Sequence, residues 1–179
     1  KNYLFALLIF FTATALAQTD TRIYDIIQKV SAKNIEADIT TLANFGTRNT
    51  FSDTLSSTRG IGAARRWIKA QFDQISLNCE ECLEVFYQKD LVKAASSNRV
   101  PRDTWVVNVV AIQKSKTGSN EYIIMSGDID SRNSDGSDFI KDAPGANDNA
   151  SGMAGAIEAA RVLSSYEFDA NIVYLGLSG

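Results

Sequence analysis

Two short apolar runs separated by one helical repeat constrain this chain more than any other feature. Tyr122-Ile123-Ile124-Met125 and Ile172-Val173-Tyr174-Leu175-Gly176-Leu177 are almost uninterrupted. Between them Met153, Ile157, Ala160 and Leu163 recur at helical spacing within Ala150 to Ser164. Apolar runs of this length read as buried strands, and the strand, loop, helix, strand order reads as a βαβ unit. Trp105 to Ile112 is a third such run, polar only at Asn108. Leu83, Val85 and Tyr87 alternate with polar neighbours, which predicts a half-exposed strand. Apolar strands separated by a helix predict a parallel or mixed sheet covered on both faces, an α/β fold.

Upstream the pattern is helical. Thr19 or Asp20 can cap a first helix carrying Ile23, Ile26, Ile27 and Val30, and Ile35, Ile39 and Leu42 form a second stripe. Phe45 to Thr50 reads as a loop. A third helix is predicted to open near Ser57 to Arg59. Ile61, Ala64, Ile68, Phe72 and Ile75 lie on its core face, with Arg65, Arg66, Lys69 and Asp73 largely on the other. No repeat or linker divides the chain, so 179 residues read as one domain.

A net charge of -3 with no basic stripe makes nucleic acid a poor partner. Residues 1–17 carry a short positive start, an apolar core from Tyr3 to Phe11 and an Ala15-Leu16-Ala17 end. That is the pattern of a secretory signal peptide, too short to span a bilayer. Export places the protein outside the cell or in a periplasm, with no membrane attachment after cleavage. The compartment is then oxidising, so Cys79 and Cys82 read as a local disulfide or as two reduced thiols. A zinc knuckle would need further Cys or His ligands, and the chain has no histidine and no other cysteine.

The chemistry concentrates after Met125. Asp128 and Asp130 fall just past one strand, on the same side by alternation. Asp148 falls just before the next helix, so both segments reach the crevice beyond the strand ends where α/β sheets bind ligands. Pro144 and Gly145 shape the turn, and Gly152 and Gly155 are expected to let the helix approach the sheet. Carboxylates gathered there repel one another unless a cation, a proton or an arginine neutralises them. The spacing leaves other readings open: Asp148 as a helix cap, and Asp128 and Asp130 as a solvated acidic loop with Asp135, Asp138 and Asp142. Asn149-Ala150-Ser151 is a sequon whose place against a helix start makes it a poor glycosylation acceptor.

Several blocks carry a family resemblance. They are Gly127-Asp128-Ile129-Asp130-Ser131-Arg132, Ala143-Pro144-Gly145-Ala146-Asn147-Asp148-Asn149-Ala150-Ser151-Gly152 and Glu158-Ala159-Ala160-Arg161-Val162-Leu163. Phe45-Gly46-Thr47-Arg48, Arg59 to Trp67 and Val173 to Gly179 add support. From about Leu42 onward the chain resembles the secreted co-catalytic-zinc aminopeptidases of the aminopeptidase S and aminopeptidase Y types. The resemblance implies a three-layer α/β/α sandwich with a mixed, mostly parallel sheet. It implies two divalent metal ions, zinc in the family. Asp148 takes the place of the bridging ligand, and Asp130 that of the carboxylate orienting the first ligand. The Asp148–Asn149 peptide is often cis in such proteins.

Asp128 stands where the family has a histidine ligand. Aspartate still coordinates metal but is harder, which favours Mn²⁺ or Mg²⁺ more than usual. The family's glutamate pair, one a general base and one a ligand, follows the strand that ends here as Leu177-Ser178-Gly179. A further aspartate and a histidine come later. The sequence therefore reads as residues 18–179 of a longer exopeptidase domain, inactive alone, whose complete form removes N-terminal residues from peptides. A non-catalytic binding or receptor-type relative and a one-zinc transferase of the glutaminyl-cyclase kind are the alternatives.

Overall fold

The computed structural model describes residues 20–179. The proposed signal segment, residues 1–17, lies outside them. Asp20 caps helix α1 (Thr21–Lys29) by accepting the Arg22 backbone N–H. Ser31 does the same for α2 (Ala32–Asn44) through the Asn34 N–H. Helix α3 (Gly60–Asn78) opens slightly later than its sequence pattern suggests, because Gly60 takes a φ of 82° and the Ser52 hydroxyl accepts the Ile61 N–H. Strands β1 (Leu83–Val92), β2 (Thr104–Gln113) and β3 (Tyr122–Asp128) follow. After them come a kinked turn (Ala146–Ala150) that is non-helical at Asp148 and Asn149, helix α4 (Ser151–Leu163) and strand β4 (Asn171–Leu177).

The sheet order is β1-β2-β4-β3. β3 and β4 pair in parallel with α4 crossing between them, which is the βαβ unit. β1 with β2 and β2 with β4 are antiparallel. The sheet is mixed as expected, but the described strands are not mostly parallel. An apolar run such as β2 reports that a strand is buried, and a central antiparallel strand is buried too.

α3 and α4 lie on one face of the sheet. Their Ile61, Ile68, Phe72, Met153 and Ile157 form one core with Val109, Ala111, Ile172 and Tyr174. The Phe72 and Tyr174 rings sit 6.4 Å apart. Among the described residues the other face is open, so two of the three layers are built. β3 is also an edge strand, and Tyr122, Ile123 and Ile124 are 60%, 56% and 61% exposed, against the expected burial on both sides. Cys79 and Cys82 form a disulfide between α3 and β1.

Candidate functional site

The rim of the site begins where β3 and α4 come together. An added Cβ at Gly127 would lie 2.3 Å from the Met153 backbone nitrogen, so only glycine lets the strand end approach the helix start. Gly155, expected to have this role, faces open space, and Gly152 instead makes room for the Asn149 side chain. The Asn149 amide oxygen accepts the Asp128 backbone N–H at 3.1 Å and ties the Ala146–Ala150 turn to the end of β3. The Asp148–Asn149 peptide is cis.

Beneath the rim lies Arg48, which is fully buried. Its guanidinium donates to the carbonyls of Ile129 (2.7 Å), Leu42 (2.9 Å), Pro144 (2.6 Å) and Gly145 (3.1 Å). Ile129 sits between Asp128 and Asp130, and Pro144 and Gly145 open the turn that carries Asp148. One side chain therefore holds both carboxylate-bearing segments to the end of α2. Ser131 adds to this by accepting the Arg48 N–H and donating to the Ala143 carbonyl. Thr47 bridges to Ala143 in parallel. Burial pulls the Arg48 guanidinium down to about 10, opposed by the Asp130 charge, so it stays protonated at neutral pH.

In the sequence Phe45 to Thr50 reads as a loop and Phe45-Gly46-Thr47-Arg48 as part of a family resemblance, and neither indicates this buried bonding role of Arg48. The available signal was a lone arginine among small loop residues. Arg65 was also misplaced. It is buried rather than on a solvent face, and it donates to the Ser178 hydroxyl at 2.8 Å. Burial lowers it to about 10 as well, with Asp130 again pulling the other way. Two buried cations thus stand behind Asp130, whose carboxylate accepts the Gly179 N–H at 3.2 Å.

Asp128 and Asp130 line a cavity of about 400 Å³ at the ends of β3 and β4, against Val106 and Asn108 of β2 and with Leu177 and Ser178. Desolvation, then the charges of Asp130 and Asp148, holds the Asp128 carboxyl above its usual value. Asp130 and Asp148 thus both act on Asp128, although Asp148 is not on the cavity wall. Asp148 does not cap α4. The cap position falls on Ala150, with no side-chain bond.

Such repelling oxygens are the donor chemistry of a hard or borderline divalent ion. The set is partial: among the described residues, no three His, Cys, Asp or Glu side chains form a group able to hold a metal ion. These residues can contribute ligands, and further donors are needed to close a site.

A mixed sheet with helices packed on it and acids at its strand ends defines an α/β protein with its ligand crevice at those ends. Comparison with known proteins narrows that class. Residues 108–179 match the model of peptidase family M28. A probable zinc metalloprotease of Leptosphaeria maculans is 40% identical over 160 residues, covering 89% of this chain and 37% of that protein. A glutaminyl cyclase of Fimbriiglobus ruber superposes with a TM-score of 0.63 at 17% identity, over 84% of this chain and 46% of that one. A leucine aminopeptidase precursor of Bacteroides thetaiotaomicron gives 0.61 at 18% identity, over 83% and 47%. At these identities the two structures share the fold. The chain spans about a third of the length of the curated relatives it matches.

Proposed function

We propose that this chain is the front part of an exported, metal-dependent exopeptidase that hydrolyses N-terminal residues from peptides. The observation that carries the reading is that Asp128 and Asp130 line one strand-end cavity, with the charge of Asp148 felt at Asp128, inside the stretch that matches peptidase family M28. Zinc-metalloprotease relatives and an aminopeptidase among the structural neighbours support it. In this reading Asp128 and Asp148 hold divalent metal, two ions in the complete site, and Asp130 orients the Asp128 side of the rim. The metal supplies a Lewis acid for the scissile carbonyl and a water of lowered pKa. Export rests on the signal-like residues 1–17.

The test is hydrolysis of aminoacyl-nitroanilides by the purified full-length protein. Activity that a chelator removes and zinc or manganese restores supports the reading. No hydrolysis under any metal contradicts it. Because Asp128 is a harder ligand than histidine, manganese should support activity in the wild type, and Asp128→His should move the preference toward zinc.

One observation favours a non-catalytic relative of the same fold. Asp128 stands in a histidine's place, and the described acids do not close a three-ligand set. A full-length protein that binds peptides without metal and without cleaving them would establish that alternative.

A further inference from the structure

A second cavity, of about 550 Å³, has a wall built entirely from residues 50–107. It lies between the loop at Thr50 to Thr54, Arg65 of α3, and the end of the β1–β2 pair nearest their connection. Lys89 is paired with Val107 across the two strands, and directly opposed residues share a face. Val107 alternates with Val109 and Ala111, which join the α3 core, so Lys89 stands on the α3 face of the sheet.

Three cations line this cavity: Arg65, Lys89 and Arg102. None is in an ion pair among the described residues. The acid on the wall, Asp103, is already engaged by the Lys93 ammonium and the Ala94 N–H, both at 2.8 Å. Arg102 sits 5.9 Å and 5.8 Å from the Phe51 and Phe139 ring centroids and donates to the Phe51 carbonyl, which fixes it to the loop with other N–H groups to spare.

Arg65 is the most informative of the three. It is 6% exposed, a charge taken out of water with no carboxylate bonded to it. Its Nε and Nη2 both donate to one acceptor, the Ser178 hydroxyl. Asp130 acts on it through space only. Nη1 has no partner among the described residues, and no fully buried side-chain nitrogen there lacks one, so Nη1 reaches the open space of the cavity that Arg65 lines.

We infer that this cavity binds a multivalent oxyanion of the phosphate type. One carboxylate would be satisfied by a single guanidinium fork. Three cations from three segments, one of them buried, instead match an anion with more than one charge and oxygens pointing in several directions. The inference goes beyond the peptidase reading and does not depend on it.

The test is calorimetric titration of pyrophosphate into the full-length protein, metal removed and chelator dialysed away so that neither competes. Wild type should bind one pyrophosphate per chain. Lys89→Ala should weaken binding about threefold to tenfold, and Lys89→Glu should remove it. Arg65→Gln should weaken it about tenfold or more, as for lost bonds to a charged group. Lys33→Ala, exposed on α2 and off the cavity wall, should change nothing. Phenyl phosphate, titrated alongside, separates the sources. Weaker binding than pyrophosphate assigns a free ion, and tighter binding assigns an ester whose ring meets Trp105, which is 56% exposed on the wall. No binding of either probe at millimolar concentration, or binding that Lys89→Glu leaves intact, overturns the inference. Lys89→Glu decides alone if Arg65→Gln does not fold.

Discussion

Two parts of the site differ sharply in how they are held. The frame beneath the rim is over-determined, because Arg48 alone satisfies four carbonyls from three segments and Ser131 links two of them again. The rim itself is weakly tied. Asp128 and Asp148 are exposed, and desolvation, then the charges of Asp130 and Asp148, raises the Asp128 pKa. A protein that only needed to fold would have little use for three acids placed where they repel. In the proposed reading, a rigid frame under these carboxylates preorganises them for a metal charge supplied from outside.

That contrast predicts unequal consequences. Arg48→Ala should have the largest effect. It strands buried carbonyls, each worth roughly 1–3 kcal/mol when left unsatisfied. Stability should fall by about 3 kcal/mol or more, a Tm loss of roughly 10 °C in a thermal melt. Arg48→Lys should recover only part of this, since an ammonium cannot reach four carbonyls in a fork geometry. A melt unchanged by Arg48→Ala would break the frame half of the comparison.

Gly127→Ala should come next, at about 1–3 kcal/mol, because the clash is with the Met153 backbone rather than a mobile side chain. The same change at Gly155, which faces open space, should be neutral or slightly stabilising in a helix. Equal effects at the two glycines would show that the strand and helix do not meet as described.

The rim should respond least and with opposite sign. In metal-free protein, Asp128→Asn should stabilise by about 0.5 kcal/mol or less, a small figure because the group is solvent-screened. Its folded pKa is raised, so its favourable contribution is present below the ordinary aspartate value and is lost as pH rises through the folded value. Wild type in chelator should therefore lose some stability across that acid-to-neutral window, and the asparagine variant should show a flatter profile.

Much of this arrangement was legible in the sequence. The βαβ unit, the Asp20 cap, the core stripe of α3 and the placing of Asp128 and Asp130 together at a strand-end cavity follow from periodicity and from the side on which strand ends open. Other features were not, for physical reasons. Tyr122 to Ile124 and Ile172 to Tyr174 are equally apolar, yet β3 is an edge and β4 is central, because hydropathy does not encode neighbour order. Strand direction in β2 was hidden for the same cause. Arg48 and Arg65 were missed because arginine is read as surface by default, and burial depends on carbonyls and hydroxyls brought in from distant segments. Gly127 rather than Gly155 makes the close approach because contact across elements is a tertiary property.

The measurement that tests the central claim most directly pairs metal content with melting in full-length wild type and Asp148→Ala. The account predicts that the variant loses bound zinc or manganese and metal-dependent hydrolysis, while its Tm in chelator stays within a degree or two of wild type. A variant that still binds metal stoichiometrically and cleaves peptides would contradict the account. So would one whose metal-free Tm falls as far as that of Arg48→Ala.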